Sequence, residues 1–250
     1  MANITLSPLY RADGSAKYSK AGYSVIAAVN GPIEVQRRDE LPEEAAVDIA
    51  VRPAAGVGGL RERHLESIIQ NTLRRVILVS AHPRSLIQFT LQIVTSPEDG
   101  SVTGNLPQAA SNLPVLPALL QASILALIST SIPLSMTLTA TLVAVNSKDT
   151  LIPDPSVQQI KLASSIHVLA FSSHGELLVV ESEGDFTMDT WEEVYQKAKL
   201  ICHGEEEYKG ENESEDMSMN SEDVSNLENV LKDAVERKIA KSQRWKESMG

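Results

Sequence analysis

The sequence predicts an α+β fold, a mixed sheet with packed helices. Two observations predict it. Strand-like apolar runs come in adjacent groups with helical stretches between them, in the order β-β-α-β-α-β-β-β-α, which is not the strict alternation of a parallel α/β protein. One helical stretch is apolar nearly all round and so is buried in the core.

The elements follow in chain order. Ser24 to Asn30 reads as a buried strand ending at the turn Gly31-Pro32, and Val47 to Arg52 alternates as a second strand. Leu60 to Val76 is helical, because Leu65, Ile68, Ile69, Leu73 and Val76 recur at i, i+3/i+4 spacing. Leu86 to Thr95 is a strand stopped by Pro97-Glu98-Asp99-Gly100. Leu119 to Ser131 is the helix that is apolar nearly all round, followed by Pro133 and a strand from Leu138 to Val145. Ile160 to Phe171 and Glu176 to Ser182 form strands around the turn Ser172-Ser173-His174-Gly175. Thr190 to Cys202 closes the body as a helix with Asp189 or Thr190 as its N-cap.

Charge divides the chain further. The 250 residues hold 33 acids and 22 Lys or Arg, a net of −11. Residues 205–226 are acidic and nearly free of large aliphatics, so they read as a disordered linker between a body at 1–204 and an amphipathic helix at 227–246. Leu227, Val230, Leu231, Ala234, Val235 and Ile239 share one face of that helix, which fits either a solvated segment or one that docks in a partner groove.

Several chemistries are disfavoured. The single cysteine, Cys202, excludes a disulfide framework and fits a reducing compartment. No secretory signal is expected at Met1 to Tyr10, and prolines break the greasy stretch Leu113 to Val145, so no membrane association is expected. His64, His82, His167, His174 and His203 are scattered without metal-ligand spacing, and no metal or other cofactor is expected. His167, inside an apolar strand, reads as a satisfied core histidine. Gly56-Val57-Gly58-Gly59 precedes a helix but lacks the GK[ST] ending of a phosphate loop. Cys202, at a helix end, reads as packing.

One basic group stands out. Arg52, Arg61, Arg63, Arg74, Arg75 and Arg84 are opposed within their span only by Glu62 and Glu66. Guanidinium forks bind phosphate oxygens bidentately. Arg61, Arg63, Arg74 and Arg75 are therefore the candidate residues for contact with RNA or with a neighbouring subunit. A solvated helix face is the competing reading.

An ordered set of motifs runs from about residue 10 to 200. It contains Asp13-Gly14-Ser15-Ala16, the strand to Asn30, Gly31-Pro32-Ile33-Glu34, ELP at 40–42, VRPAAGV at 51–57, Arg63-x-x-Glu66, HPRSLIQFTLQIV at 82–94, QASILALISTSIPL at 121–134 and IPDPSVQQIKLASSIHVLAF at 152–171. In this order they resemble the RNase PH family, and the resemblance implies its ribosomal protein S5 domain 2-like fold. Active members hold the attacking phosphate with a DGGTRT-like segment and a divalent metal with two aspartates. In this sequence the first segment aligns with Asn112 to Pro117, its arginine falling on Leu116 and its hydroxyls on Val115 and Pro117. The aspartates fall near Gln159 and Ser165, and no Asp or Glu lies between Pro155 and Gly175.

The resemblance therefore implies no enzyme and no catalytic residue. It implies a structural subunit of the hexameric ring of the eukaryotic RNA exosome, supporting 3′-to-5′ processing and degradation, rRNA included. The implied partners are other RNase PH-like ring subunits, S1/KH-type cap subunits and RNA, in the nucleus, nucleolus and cytoplasm. Two alternatives compete. One is an active phosphate-dependent exoribonuclease using Asp154, Glu176, Glu181 or Glu183. The other is a free-standing RNA-binding adaptor acting through the tail and terminal helix.

Overall fold

The computed structural model describes residues 2–97, 112–146, 149–204 and 226–247. Two sheets enclose one helix. The first has five strands in the order β1-β2-β3-β5-β4: β1 (Asn3–Leu6), β2 (Gly14–Lys20), β3 (Tyr23–Glu34), β4 (Ala46–Arg52) and β5 (Ser85–Thr95). All its pairs are antiparallel except β4 with β5, which the helix α1 (Leu60–Val76) connects as a parallel crossover. The second is antiparallel, in the order β7-β6-β8-β9: β6 (Leu138–Asn146), β7 (Leu151–Pro153), β8 (Ala163–Ser172) and β9 (Leu177–Gly184).

The helix α2 (Leu116–Ile128) lies between the sheets, touching β2 and β3 on one side and β6 on the other. Its apolar residues point in every direction because every direction is interior. Leu116, Leu119, Leu120, Ile124, Leu125 and Leu127 are all fully buried. Each such side chain contributes about 1.5–3 kcal/mol by leaving water, so this helix anchors the two-layer body. The helix α4 (Met188–His203) covers the outer face of the second sheet. The helix α5 (Leu227–Glu247) then packs its first turns on α4 and β1.

The structure corrects several sequence expectations. β3 does not end at Gly31-Pro32; it runs on to Glu34, pairing Ile33 and Glu34 with β5 beyond a bulge. β2 was missed because GSAKYSK looks polar, yet Ala16 and Tyr18 face inward while Lys17 faces water. The hairpin that pairs it with β3 turns at Ala21 and Gly22, both at positive φ, as a tight two-residue turn demands. α2 starts at Leu116 rather than Leu119, because proline is tolerated in a first turn, and it ends at Ile128.

Residues 160–162 are not strand. They end a short helix, α3 (Val157–Leu162), closed by a capping box in which Gln159 Oε1 accepts from Ser156 N at 2.8 Å. The N-cap of α4 is neither Asp189 nor Thr190 but Thr187, whose hydroxyl accepts from Thr190 N at 3.3 Å.

Residues 205–225 of the expected linker lie outside the described residues. The remaining one, Asn226, is a structural residue: its side-chain amide donates to the carbonyl of His203, joining α5 to the end of α4. Leu227, Leu231 and Ala234 are buried against the body, so the first turns of α5 dock on their own chain. His203 Nδ1 lies 3.3 Å from Glu228 Oε2. The Glu228 carboxyl is held below its ordinary value, first by its hydrogen bond to Lys232 and then by His203. Among the described residues no helix is long and apolar enough to cross a membrane.

Candidate functional site

Asn112 to Pro117 lead into α2, at the mouth between the two sheets. Leu113, Pro114, Val115 and Leu116 are buried. A helix N-terminus can cradle an anion through free N–H groups, but Pro114 and Pro117 have none, and Val115 N is turned to Asn112 O at 3.3 Å. The space in front of this helix start is a cleft of about 30 Å³ lined by Tyr18, Lys20, Pro114, Pro117 and Asp154 among others. That volume admits little more than a water molecule.

A salt bridge crosses the cleft, with Lys20 Nζ 2.7 Å from Asp154 Oδ2. It ties β2 of the first sheet to the turn after β7 in the second. Asp154 sits at φ +48, and its N–H donates to Leu142 O at 3.0 Å. Asp154, one of the acids named in the alternative enzyme reading, is therefore committed to a lysine. Burial, then the Asp154 charge, raises the Tyr18 phenol well above its ordinary range, so it remains neutral.

The metal-binding positions fare no better. Gln159 Oε1 is occupied by the capping box of α3. Ser165 is fully buried on β8, its hydroxyl 2.9 Å from His167 Nε2. Neither is a carboxylate, and both are already engaged, so these residues do not fit a divalent metal. Among the described residues no group of three His, Cys, Asp or Glu is placed to hold one.

His167 and Cys202 are packing residues. The His167 ring is buried between Ser165 Oγ and Ser182 Oγ, the latter 2.8 Å from Nδ1, with Phe186 edge-on at 4.7 Å. Burial pushes its pKa down to about 4, so it is neutral at pH 7. Cys202 is buried behind β6, and burial pushes its thiol up to about 12, which leaves no thiolate for chemistry. Gly56 to Gly59 form the approach to α1. Glu62 Oε2 accepts from Gly59 N at 2.6 Å, so the helix caps itself there.

The arginine group is split by the fold. Arg61 and Arg63 stand in the first turn of α1, and Arg74 and Arg75 in the last, about 20 Å away at 1.5 Å per residue. At 100° per residue Arg63 and Arg74 share one line along the helix, and Arg61 and Arg75 another. The face that carries Gln70 and Arg74 is not free. Gln70 Nε2 donates to Val47 O at 2.6 Å, Glu66 Oε1 accepts from Val51 N at 2.7 Å, and Arg74 pairs with Glu44. These side chains cover the outer edge of β4, an edge that would otherwise invite another strand. Sequence reading missed this role of Glu66 and Gln70, whose only signal was their four-residue spacing. Arg61, Arg63 and Arg75 are exposed and enter no ion pair among the described residues. Arg84 lies 3.5 Å from Glu40.

Comparison with known proteins bears on the same geometry. Residues 2–133 match the family model described as "RNase_PH: 3′ exoribonuclease family, domain 1". The exosome complex component RRP46 of Saccharomyces cerevisiae is 36% identical over 184 residues, covering 71% of this chain and 79% of that protein. The crystal structure of rice (Oryza sativa) Rrp46 superposes with a TM-score of 0.67 at 25% identity, covering 79% of this chain and 86% of the rice chain. A chain of the Archaeoglobus fulgidus exosome, solved with RNA bound to the active site, shares the fold at a TM-score of 0.62 and 14% identity, over 80% of this chain and 84% of that one.

Proposed function

Because this chain belongs to the RNase PH family of 3′ exoribonucleases, we propose that it works as a non-catalytic subunit of an RNA exosome ring. In this reading it supports 3′-to-5′ RNA processing and degradation by shaping a channel that delivers RNA to a separate nuclease. One observation carries the loss of catalysis. The positions that hold phosphate and metal in active members are here Val115, Leu116, Pro117, Gln159 and Ser165, three built into the start of α2 and two already engaged in hydrogen bonds, Gln159 at the surface in the capping box of α3 and Ser165 buried against His167. Losing a single preorganised charge stabiliser costs about 100- to 1000-fold in rate. Losing both the anion grip and the metal grip leaves no route to phosphorolysis.

The partners of this reading are other RNase PH-like ring subunits, S1/KH-type cap subunits and RNA. Its compartments are the nucleus, nucleolus and cytoplasm. The strand edges support it in part. The β4 edge is covered by α1 and the β1 side by α5, while the outer edge of β9 has no strand partner among the described residues. An unpaired edge is stabilised by a second chain laid against it.

Two measurements test the reading. The purified chain, given RNA, inorganic phosphate and Mg²⁺, is expected to release no nucleoside diphosphate. A tagged copy at native level is expected to co-purify with RNase PH-like subunits. Phosphate-dependent release that disappears on Asp154→Ala or Glu183→Ala would establish the enzyme instead.

The arginines of α1 supply a third test. Changing Arg61, Arg63, Arg74 and Arg75 together to Ala is expected to weaken RNA binding or ring assembly and to flatten its salt dependence. If both are unchanged, these arginines are a solvated face.

A further inference from the structure

The helix α5 is longer than the surface that holds it. Leu227, Leu231 and Ala234 form its buried stripe at i, i+4, i+7. The same stripe continues as Lys238 and Lys241. From Glu236 to Arg244 every side chain is exposed except half-buried Lys238, and Ile239 is 48% exposed. The last three turns therefore reach beyond the body. Isolated helical turns are marginal in water without packing, so this projection is built for something outside the chain.

Its charge says what. Between Glu236 and Glu247 stand Arg237, Lys238, Lys241, Arg244 and Lys246, inside a protein of net charge −11. Arg237, Lys241 and Arg244 lie within about 60° of one another around the helix, in a row about 10 Å long. None of these three, nor Lys238, takes part in an ion pair among the described residues; Arg237 Nε only donates to its own helix, to Asp233 O at 3.1 Å. The helix dipole favours cations in the last turn only, and Arg237, Lys238 and Lys241 precede that turn.

A peptide groove would require a series of large apolar anchors at i, i+3/i+4, i+7 on this projection, but from Glu236 to Arg244 the one large apolar side chain is Ile239, and the buried stripe continues there as Lys238 and Lys241. A regular row of unpaired guanidinium and ammonium groups instead matches a phosphodiester backbone. We propose that the projecting end of α5 is a contact site for the phosphate backbone of single-stranded RNA, outside the ring body. That the polyanion is RNA rests on the ring-subunit reading.

The test is fluorescence anisotropy of a labelled oligouridine with the full chain. Arg237→Ala, Lys241→Ala and Arg244→Ala combined are compared with a charge-matched control, Lys17→Ala, Arg37→Ala and Lys197→Ala, whose residues are also exposed. At low salt the α5 variant is expected to bind roughly tenfold more weakly and to lower the log–log salt slope by about 2, since each single-strand phosphate contact contributes about 0.7. The control is expected to bind as the unmodified chain does, and far-UV ellipticity to show α5 intact. Equal loss in both variants, no loss in either, or tighter binding of poly-glutamate than of oligouridine overturns the proposal. Co-purification with ring subunits is scored separately. An α5 variant that assembles normally and binds RNA normally sinks this site alone; a chain that binds RNA through α5 but never assembles sinks only the ring reading.

Discussion

Gly14→Ala is expected to destabilise the protein by about 3 kcal/mol, at the upper end of what overpacking costs. Gly14 opens β2 opposite Val29, where β2 crosses the end of α2. A Cβ built there would lie 2.2 Å from Thr130 Cγ2 and 2.5 Å from the carbonyl oxygen of Ala126. The threonine methyl can turn aside. The carbonyl belongs to the central buried helix, so relief requires moving α2 between its two sheets. Close packing makes such a shift expensive. Urea unfolding measures the change, with Gly59→Ala as control. There a Cβ would meet only the Glu62 carboxylate at 3.5 Å, and a shift within about 0.5 kcal/mol is expected. Equal losses in the two variants would refute the packing account.

The same reasoning explains the motif around Gly14. Asp13 Oδ2 accepts from Gly31 N at 2.9 Å, and Ser15 Oγ accepts from Leu9 N at 3.0 Å. Ala16 is fully buried. Each member of Asp13-Gly14-Ser15-Ala16 therefore closes a turn or fits a gap near α2. The motif that carries the family resemblance is therefore a folding motif in this chain.

The second large effect is a loss of stability in mild acid centred on His167. In the folded chain burial holds its pKa at about 4, against 6.5 for the free side chain. Above pH 6.5 neither state takes the proton, and this histidine contributes no slope. Between pH 6.5 and about 4 the unfolded chain is protonated while the folded chain is not, so stability falls as pH falls. The loss is complete near pH 4 and amounts to about 3 kcal/mol, at about 1.4 kcal/mol per pKa unit.

Urea unfolding at pH 7.5, 6, 5 and 4.5 is the measurement. His167→Gln can still hydrogen-bond the flanking serines but does not titrate. The difference between the unmodified chain and this variant is expected to shrink or reverse with acid, as the unmodified chain loses stability that the variant keeps. Parallel pH profiles would show that His167 does not carry the effect.

The sequence by itself determined the two helices that build the core of the body. The apolar period of α1 at 60–76 and the all-round apolar run of α2 are one-dimensional signals, because each residue's neighbours in the helix are three and four positions away. The side chains before α2 were legible in one dimension too, since Val115, Leu116 and Pro117 carry neither charge nor hydroxyl in any fold. His167 was also readable as interior, since its flanks are apolar, and Cys202 as packing from its place at the end of a helix.

Only the tertiary structure decided which polar groups are spent. Lys20 meets Asp154 across the cleft, Glu66 and Gln70 bond the β4 edge, Arg74 finds Glu44, and the serines of two adjacent strands close on His167. α3 was hidden beside the apolar run of β8, and β2 shows its inward face only when β3 lies beside it. Hydrophobic pattern is periodic along the chain and visible there, whereas a hydrogen bond or ion pair joins residues far apart in the chain and exists only once the sheets have brought them within 3 Å.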